Sequence, residues 1–165
     1  MFFMDTKKLV GQAKKIIEEN IYLTLATSTK NGKPWISPLF FAFDENYNFY
    51  WISGKNSLHS QLISRNPNVA IVIFDSKTPV GTGDGVYFEA VAEELRKEQD
   101  IRLAIDLLNK RITNDDFKIK SIDKLIKNQG ISSIYKGVPK KISKLTEGKF
   151  VNGQYIDERV EITLK

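Results

Sequence analysis

The sequence has 165 residues, 41% of them hydrophobic and 27% charged, with no cysteine and a single histidine. At roughly 150 residues per domain, that length predicts one domain over the whole of residues 1–165, with no need of a disulfide or metal staple. The missing cysteines exclude thiol nucleophiles, redox disulfides, iron–sulfur clusters and thiolate zinc sites, and one histidine argues against a His-rich metal centre. Demanding chemistry would then fall to a bound cofactor.

The net charge of +5 is compatible with nucleic acid, an anionic surface or a phosphorylated ligand. Nine lysines between Phe117 and Lys149, Lys144 among them, face only Asp123 and Glu147 and read as a solvated face. Without clustered arginines or interleaved aromatics they do not predict a nucleic-acid groove. The apolar start, Met1–Met4, is too short for a signal peptide, and no stretch reaches the ~20 apolar residues of a membrane span. The expectation is a soluble cytoplasmic protein.

Asp5 or Thr6 opens a first helix, in which Leu9, Val10, Ala13, Ile16 and Ile17 recur at helical spacing and Asn20 closes the element. Tyr22 to Thr27 has strand character. Asn31-Gly32 is a hairpin signal, because both central residues tolerate positive φ. A second strand from about Pro34 to Phe43 contains Pro34 and Pro38, so it is irregular or at an edge. A third spans Phe49 to Ser53, and a short helix spans Ser57 to Ser64, ended by Asn66-Pro67-Asn68. Val69 to Phe74 is continuously apolar and predicts a strand buried on both faces. Gly81 to Gly85 reads as a flexible hairpin, and Val86 to Glu94 alternates as a strand. Helices from about Lys97 to Arg111 and Ser121 to Lys127 precede late strands near Ser132–Lys136, Lys140–Leu145 and Val160–Leu164. The pattern predicts a mainly β fold with flanking helices, a small barrel or sandwich.

No G-x-S-x-G elbow, P-loop or H-E-x-x-H occurs. The richest cluster of polar groups is Ser53, Lys55, Asn56, Ser57, His59 and Ser60, where a strand gives way to a helix. Hydroxyls, a cation and free N–H groups at such a junction suit a phosphate monoester, although the same residues also make an ordinary N-capped helix with a polar face. The aromatics Trp35, Phe40, Phe41, Phe43, Tyr50 and Trp51 suit core packing, with a surplus able to cover a flat ligand or a second subunit. Arg159 suits either a surface ion pair or stabilisation of an electron-rich ring.

Several segments together resemble the FMN-binding split-barrel family related to pyridoxamine 5′-phosphate oxidase. They are Asn31-Gly32-Lys33-Pro34-Trp35 with Ser37-Pro38, Phe49 to Ser53 followed by Ser57 to Ser60, Asn66 to Ala70, Val86 to Glu93, and Asp157 to Glu161. The resemblance implies a six-stranded antiparallel Greek-key split β-barrel with an N-terminal helix and two or three further helices. It also implies a homodimer with FMN at the subunit interface. By position, Ile36, Ser37, Pro38, Leu39, Phe40 and Phe41 would line the isoalloxazine, and Ile52 and Ser53 would border the phosphate. Ser57, Leu58 and His59 match the family's Ser-Arg-Lys phosphate grip, with Lys55 a compensating cation. Gly85 falls where a glutamine is common, and Arg159 matches an arginine near the flavin pyrimidine edge. Phe41, Tyr155 and Asp157 replace substrate-handling residues of the oxidase, and Ser143 replaces a common tryptophan. The resemblance thus implies an FMN oxidoreductase acting on a small molecule, rather than pyridoxamine-phosphate oxidation itself. The alternatives are a flavin-buffering protein without turnover, or a barrel using the deazaflavin F420 or haem.

Overall fold

The computed structural model describes residues 6–126, 130–146 and 148–165. Asp5 as a helix cap and the expected helix end at Lys127 lie outside them. The opening helix α1 (Thr6–Glu19) buries Ala13 and Ile17, and Asn20 donates both its backbone and side-chain N–H to Ile16 O.

The strands β1 (Tyr22–Ser28), β2 (Pro34–Phe40), β3 (Ala42–Phe43), β4 (Phe49–Gly54), β5 (Asn68–Phe74), β6 (Gly85–Glu94) and β7 (Ser132–Leu145) form one antiparallel sheet. Its order is β2-β1-β5-β6-β7-β4-β3. Because β2 and β3 are successive stretches of one chain interrupted at Phe41, the sheet closes on itself as a six-stranded barrel. A short strand β10 (Arg159–Glu161) adds to β7. The helices α2 (Leu58–Arg65), α3 (Glu98–Arg111) and the single turn α4 (Asp123–Ile126) complete the split-barrel form.

Alternation sets the core. Leu23 and Leu25 from β1, Val69, Ile71 and Ile73 from β5, and Val86 and Phe88 from β6 meet Phe41, Phe49 and Trp51 inside the barrel. Each full burial is worth roughly 1.5–3 kcal/mol. Ile101, Ala104, Ile105 and Leu108 form the buried face of α3, as their spacing predicts, and several of them pack with Tyr50 and Ile134 in a second cluster.

Besides the break at Phe41 in the expected strand from Pro34 to Phe43, four readings of the strands change. First, β5 is buried on one face only, since Ala70 is exposed and Phe74 is 46% exposed. Second, the expected strands at Ser132–Lys136 and Lys140–Leu145 are one strand, β7. Its Pro139 pairs with Ala90 where the register shifts between Glu89 and Ala90, and an irregular ladder tolerates the missing N–H there. Third, the last strand is Arg159–Glu161, and Ile162 and Leu164 beyond it are buried in the core. Fourth, a hairpin absent from the sequence reading, β8 (Lys149–Val151) with β9 (Gln154–Ile156), turns at Asn152 and Gly153, whose φ values of 50° and 78° suit an Asn-Gly turn.

Lys144 does not belong to a solvated lysine face. It is 1% exposed, paired with Asp84 from the loop before β6, and its ammonium also donates to Leu145 O. No helix among the described residues is long and apolar enough to cross a membrane.

Candidate functional site

The junction of β4 and α2 gathers polar side chains from three elements. Ser53 ends the buried part of β4, Ser57 stands at the N-cap of α2, and Ser37 comes from β2. All three hydroxyls converge on His59. Its Nδ1 lies 3.2 Å from Ser37 Oγ, and its Nε2 lies 2.7 Å from Ser53 Oγ and 3.1 Å from Ser57 Oγ.

Ser57 occupies a helix N-cap without a side-chain capping bond. Its hydroxyl donates instead to Ser60 Oγ at 2.9 Å and faces His59 Nε2. A side chain that ordinarily satisfies the helix's own N–H groups is therefore turned toward the cluster. The first-turn N–H groups of α2 lack that capping partner and are suited to an anion.

The hydrogen bonds have one self-consistent polarity. Trp35 Nε1–H donates to Ser37 Oγ at 3.2 Å, and Ser37 donates to Nδ1 of an imidazole protonated on Nε2. That Nε2–H points at Ser53 and Ser57, and Ser57 donates to Ser60. A side-chain hydrogen bond then joins Ser60 to Tyr135, which is 4% exposed. Burial holds the His59 pKa below its ordinary value, so the ring is neutral at neutral pH.

The other predicted site residues are distributed differently. Lys55 sits half-buried in the turn leading to α2, its backbone N–H donating to Ile131 O. Leu58 is 45% exposed beside His59. Pro38 pairs with Thr24 across β1, Leu39 packs against the core, and Phe40 meets the Tyr22 ring edge-on. Phe41 is fully buried, 5.7 Å from the Phe49 ring and beneath the Arg111 guanidinium. Its side chain is core, so only its backbone could border a ligand. Ile52 packs toward the cluster around α3, and Gly85 is buried at the start of β6 against Tyr87.

Arg159 belongs to a second group on the outer face of the sheet. Its guanidinium lies 3.9 Å from the Tyr87 ring centroid, a cation–π contact, in a shallow pocket shared with Ile36 and Ser143. Adjacent residues of β2 thus serve opposite faces: Ile36 the Arg159 pocket and Ser37 the His59 cluster. Sequence reading missed Tyr87 and Tyr135 as partners because each is brought in by strand register from a distant part of the chain. Among the described residues no group of three metal-ligating side chains occurs.

The chemistry of the donor set fits a phosphate. Hydroxyls and an imidazole can donate to its oxygens, and the imidazole can gain charge to match the anion. The comparisons agree with the fold. A profile of the pyridoxamine 5′-phosphate oxidase family matches residues 9–132, well over half of the sequence.

The chain belongs to this family.

A curated relative from Haemophilus ducreyi, a UPF0306 protein, is 27% identical over 93 residues, covering 56% of this chain and 63% of the relative. The match therefore spans less than two thirds of that relative's length. Among solved structures, the haem storage protein HutZ of Vibrio cholerae superposes with a TM-score of 0.64 at 18% identity, covering 81% of this chain and 92% of HutZ. A haem-binding protein of Mycobacterium smegmatis gives 0.68 at 15% identity, covering 98% of this chain and 60% of its own. At such identities the likeness extends to the fold alone.

Proposed function

We propose that this chain is a cytoplasmic, homodimeric FMN-binding oxidoreductase of the split-barrel type, acting on a small molecule other than pyridoxamine phosphate. One observation carries the reading: three serine hydroxyls from separate elements converge on the single imidazole, which makes a cradle for a phosphate monoester. Ser53, Ser57 and His59 would hold the phosphate, with Lys55 adding charge. Ile36 and the β2 backbone would border the ring. A bound flavin would supply hydride or electron transfer.

Arg159 lies apart from the His59 cluster in the chain's own fold. It would act in a second copy's site, across the outer sheet face where Tyr22 and Ile36 are 58% and 63% exposed. A fixed guanidinium there favours negative charge on a ring. The first test is the visible spectrum of the purified protein, then FMN titration. A yellow protein, or uptake of added FMN at micromolar concentration, supports the reading; failure to take up FMN removes it.

Haem is the second reading, supported by the two haem proteins of the same fold. Against it stands the supply of axial ligands: His59 is the single histidine and there is no cysteine, so the iron would fall to His59 itself, a tyrosine or a methionine. A Soret band on addition of haemin, retained in His59→Ala, would favour haem bound through another residue.

A further inference from the structure

We propose that the cavity between α2 and the corner joining β6 to α3 binds a small molecule bearing an ammonium group. The inference stands apart from the flavin reading, because Ser37, Ser53, Ser57 and His59 do not line the cavity and Ser60 is the one residue of that cluster that does. Its volume is about 540 Å³, within the roughly 300–1,000 Å³ range of small-molecule sites.

Its walls are built, and they are not uniform. Ile63, Pro67 and Leu95 supply apolar surface. Ser60 and Tyr135 line it as well, and these hydroxyl-bearing residues are 3% and 4% exposed. They are fixed by their neighbours: Ser60 accepts from Ser57, and the Tyr135 ring stacks on Trp51 at 6.0 Å. Two buried polar residues at a cavity wall give directional hydrogen bonds to a ligand without an ordering cost at binding.

The charges select the sign. Three carboxylates line the cavity: Glu94 and Asp100 are half-buried and Glu93 is exposed, and Glu94 is anchored by the Ser133 hydroxyl. The cations are on the rim. The Arg96 side chain is 84% exposed and reaches Glu94 only at 4.0 Å, and Lys97 is exposed. A solvated rim cation on a long, mobile stem contributes little. The half-buried carboxylates therefore dominate the field inside, and the complement of Glu94, Asp100, the buried hydroxyls of Ser60 and Tyr135 and an apolar wall is an organic ammonium.

Three isosteric probes test the proposal on the full chain: benzylamine, benzyl alcohol and benzoate. Amide shifts in ¹H–¹⁵N spectra locate binding, and titration gives affinity. The expectation is saturable benzylamine binding that moves the Ser64, Leu95 and Asp100 amides and is at least about tenfold tighter than for the alcohol, with benzoate weaker still. Asp100→Asn and Glu94→Gln should each reduce that preference severalfold. Asp100→Asn leaves the Ser133 bond intact, so it remains informative if Glu94→Gln misfolds. The proposal is overturned by equal or tighter binding of the alcohol or benzoate, by shifts that map elsewhere, or by no benzylamine binding up to about 10 mM.

Discussion

His59 Nε2 lies 2.7 Å from Ser53 Oγ, across the bend where β4 gives way to α2. The contact joins the last buried residue of a barrel strand to the first turn of a helix, so the imidazole is positioned by the barrel as well as by its own helix. If this pair grips phosphate, His59→Ala should weaken FMN binding by roughly 1–3 kcal/mol, the range for losing a charge-assisted hydrogen bond. Ser53→Ala should weaken it less, and riboflavin, which lacks the phosphate, should bind both variants and the parent alike. Flavin fluorescence titration measures all three. Unchanged FMN affinity in His59→Ala would remove His59 from the site.

The same ring predicts a pH dependence. Burial lowers the His59 pKa in the free protein, from an unfolded reference of 6.5. A phosphate dianion stabilises the imidazolium and raises that pKa in the complex. FMN affinity should therefore decline as pH rises through the raised pKa of the complex, and on the acid side it is limited by protonation of the phosphate itself, whose second pKa is about 6. Stability without ligand has the opposite slope: present above 6.5, and lost as pH falls below it toward the lowered folded value. His59→Gln should flatten both profiles. A pH-independent FMN affinity in the parent protein would contradict the proton linkage.

Lys144 and Asp84 predict an asymmetric pair of mutants. The lysine is 1% exposed, whereas the Asp84 side chain is 34% exposed. Removing the carboxylate strands a buried ammonium. Removing the lysine leaves a carboxylate that can turn to solvent. Asp84→Ala should therefore cost roughly 2 kcal/mol more than Lys144→Met, because an unpaired buried charge is the expensive outcome. Urea unfolding of both variants measures the difference, and equal losses would show that the ammonium reaches water by another route.

Gly137 faces the Trp51 indole, with an added Cβ meeting Trp51 Cζ3 at 3.1 Å. Trp51 is fully buried and cannot swing away. Gly137→Ala should destabilise the barrel by roughly 1–3 kcal/mol through overpacking. Thermal unfolding checks it, with Gly11→Ala as a control, since nothing lies within 4 Å of a Cβ there.

Ile36→Asp tests the proposed homodimer. It places a charge at the centre of the exposed apolar face of β2, so it should turn the dimer into a monomer in sedimentation velocity and lower FMN uptake with it. A parent protein that is already monomeric would remove the dimer from the proposal and leave Arg159 without a flavin to act on.

Local signals made most of the barrel legible. The alternation of Val86, Phe88, Ala90 and Ala92 and the Asn31-Gly32 turn each specify their element within a few residues, as does the α3 face. The polar cluster was legible for the same reason, because Ser53, Ser57 and His59 are close in sequence. What stayed hidden depends on distant register. Gly137 and Pro139 read as a break, yet a bulge opposite Ala90 carries β7 through them. Lys144 reads as surface because its partner, Asp84, is 60 residues away and its charge masks a core position. Phe41 matched a ligand-lining position by sequence order, but the interruption between β2 and β3 turns its ring into the core.

The two tryptophans stand at opposite ends of the hydroxyl chain. Trp35, 47% exposed, donates into it at Ser37, and the fully buried Trp51 stacks against Tyr135 at its other end. An indole in water and an indole in a dry barrel emit at different wavelengths. The protein therefore carries two native optical probes, one reading the phosphate cradle and the other the cavity beyond Ser60, and Trp35→Phe would leave the inner one to be read alone.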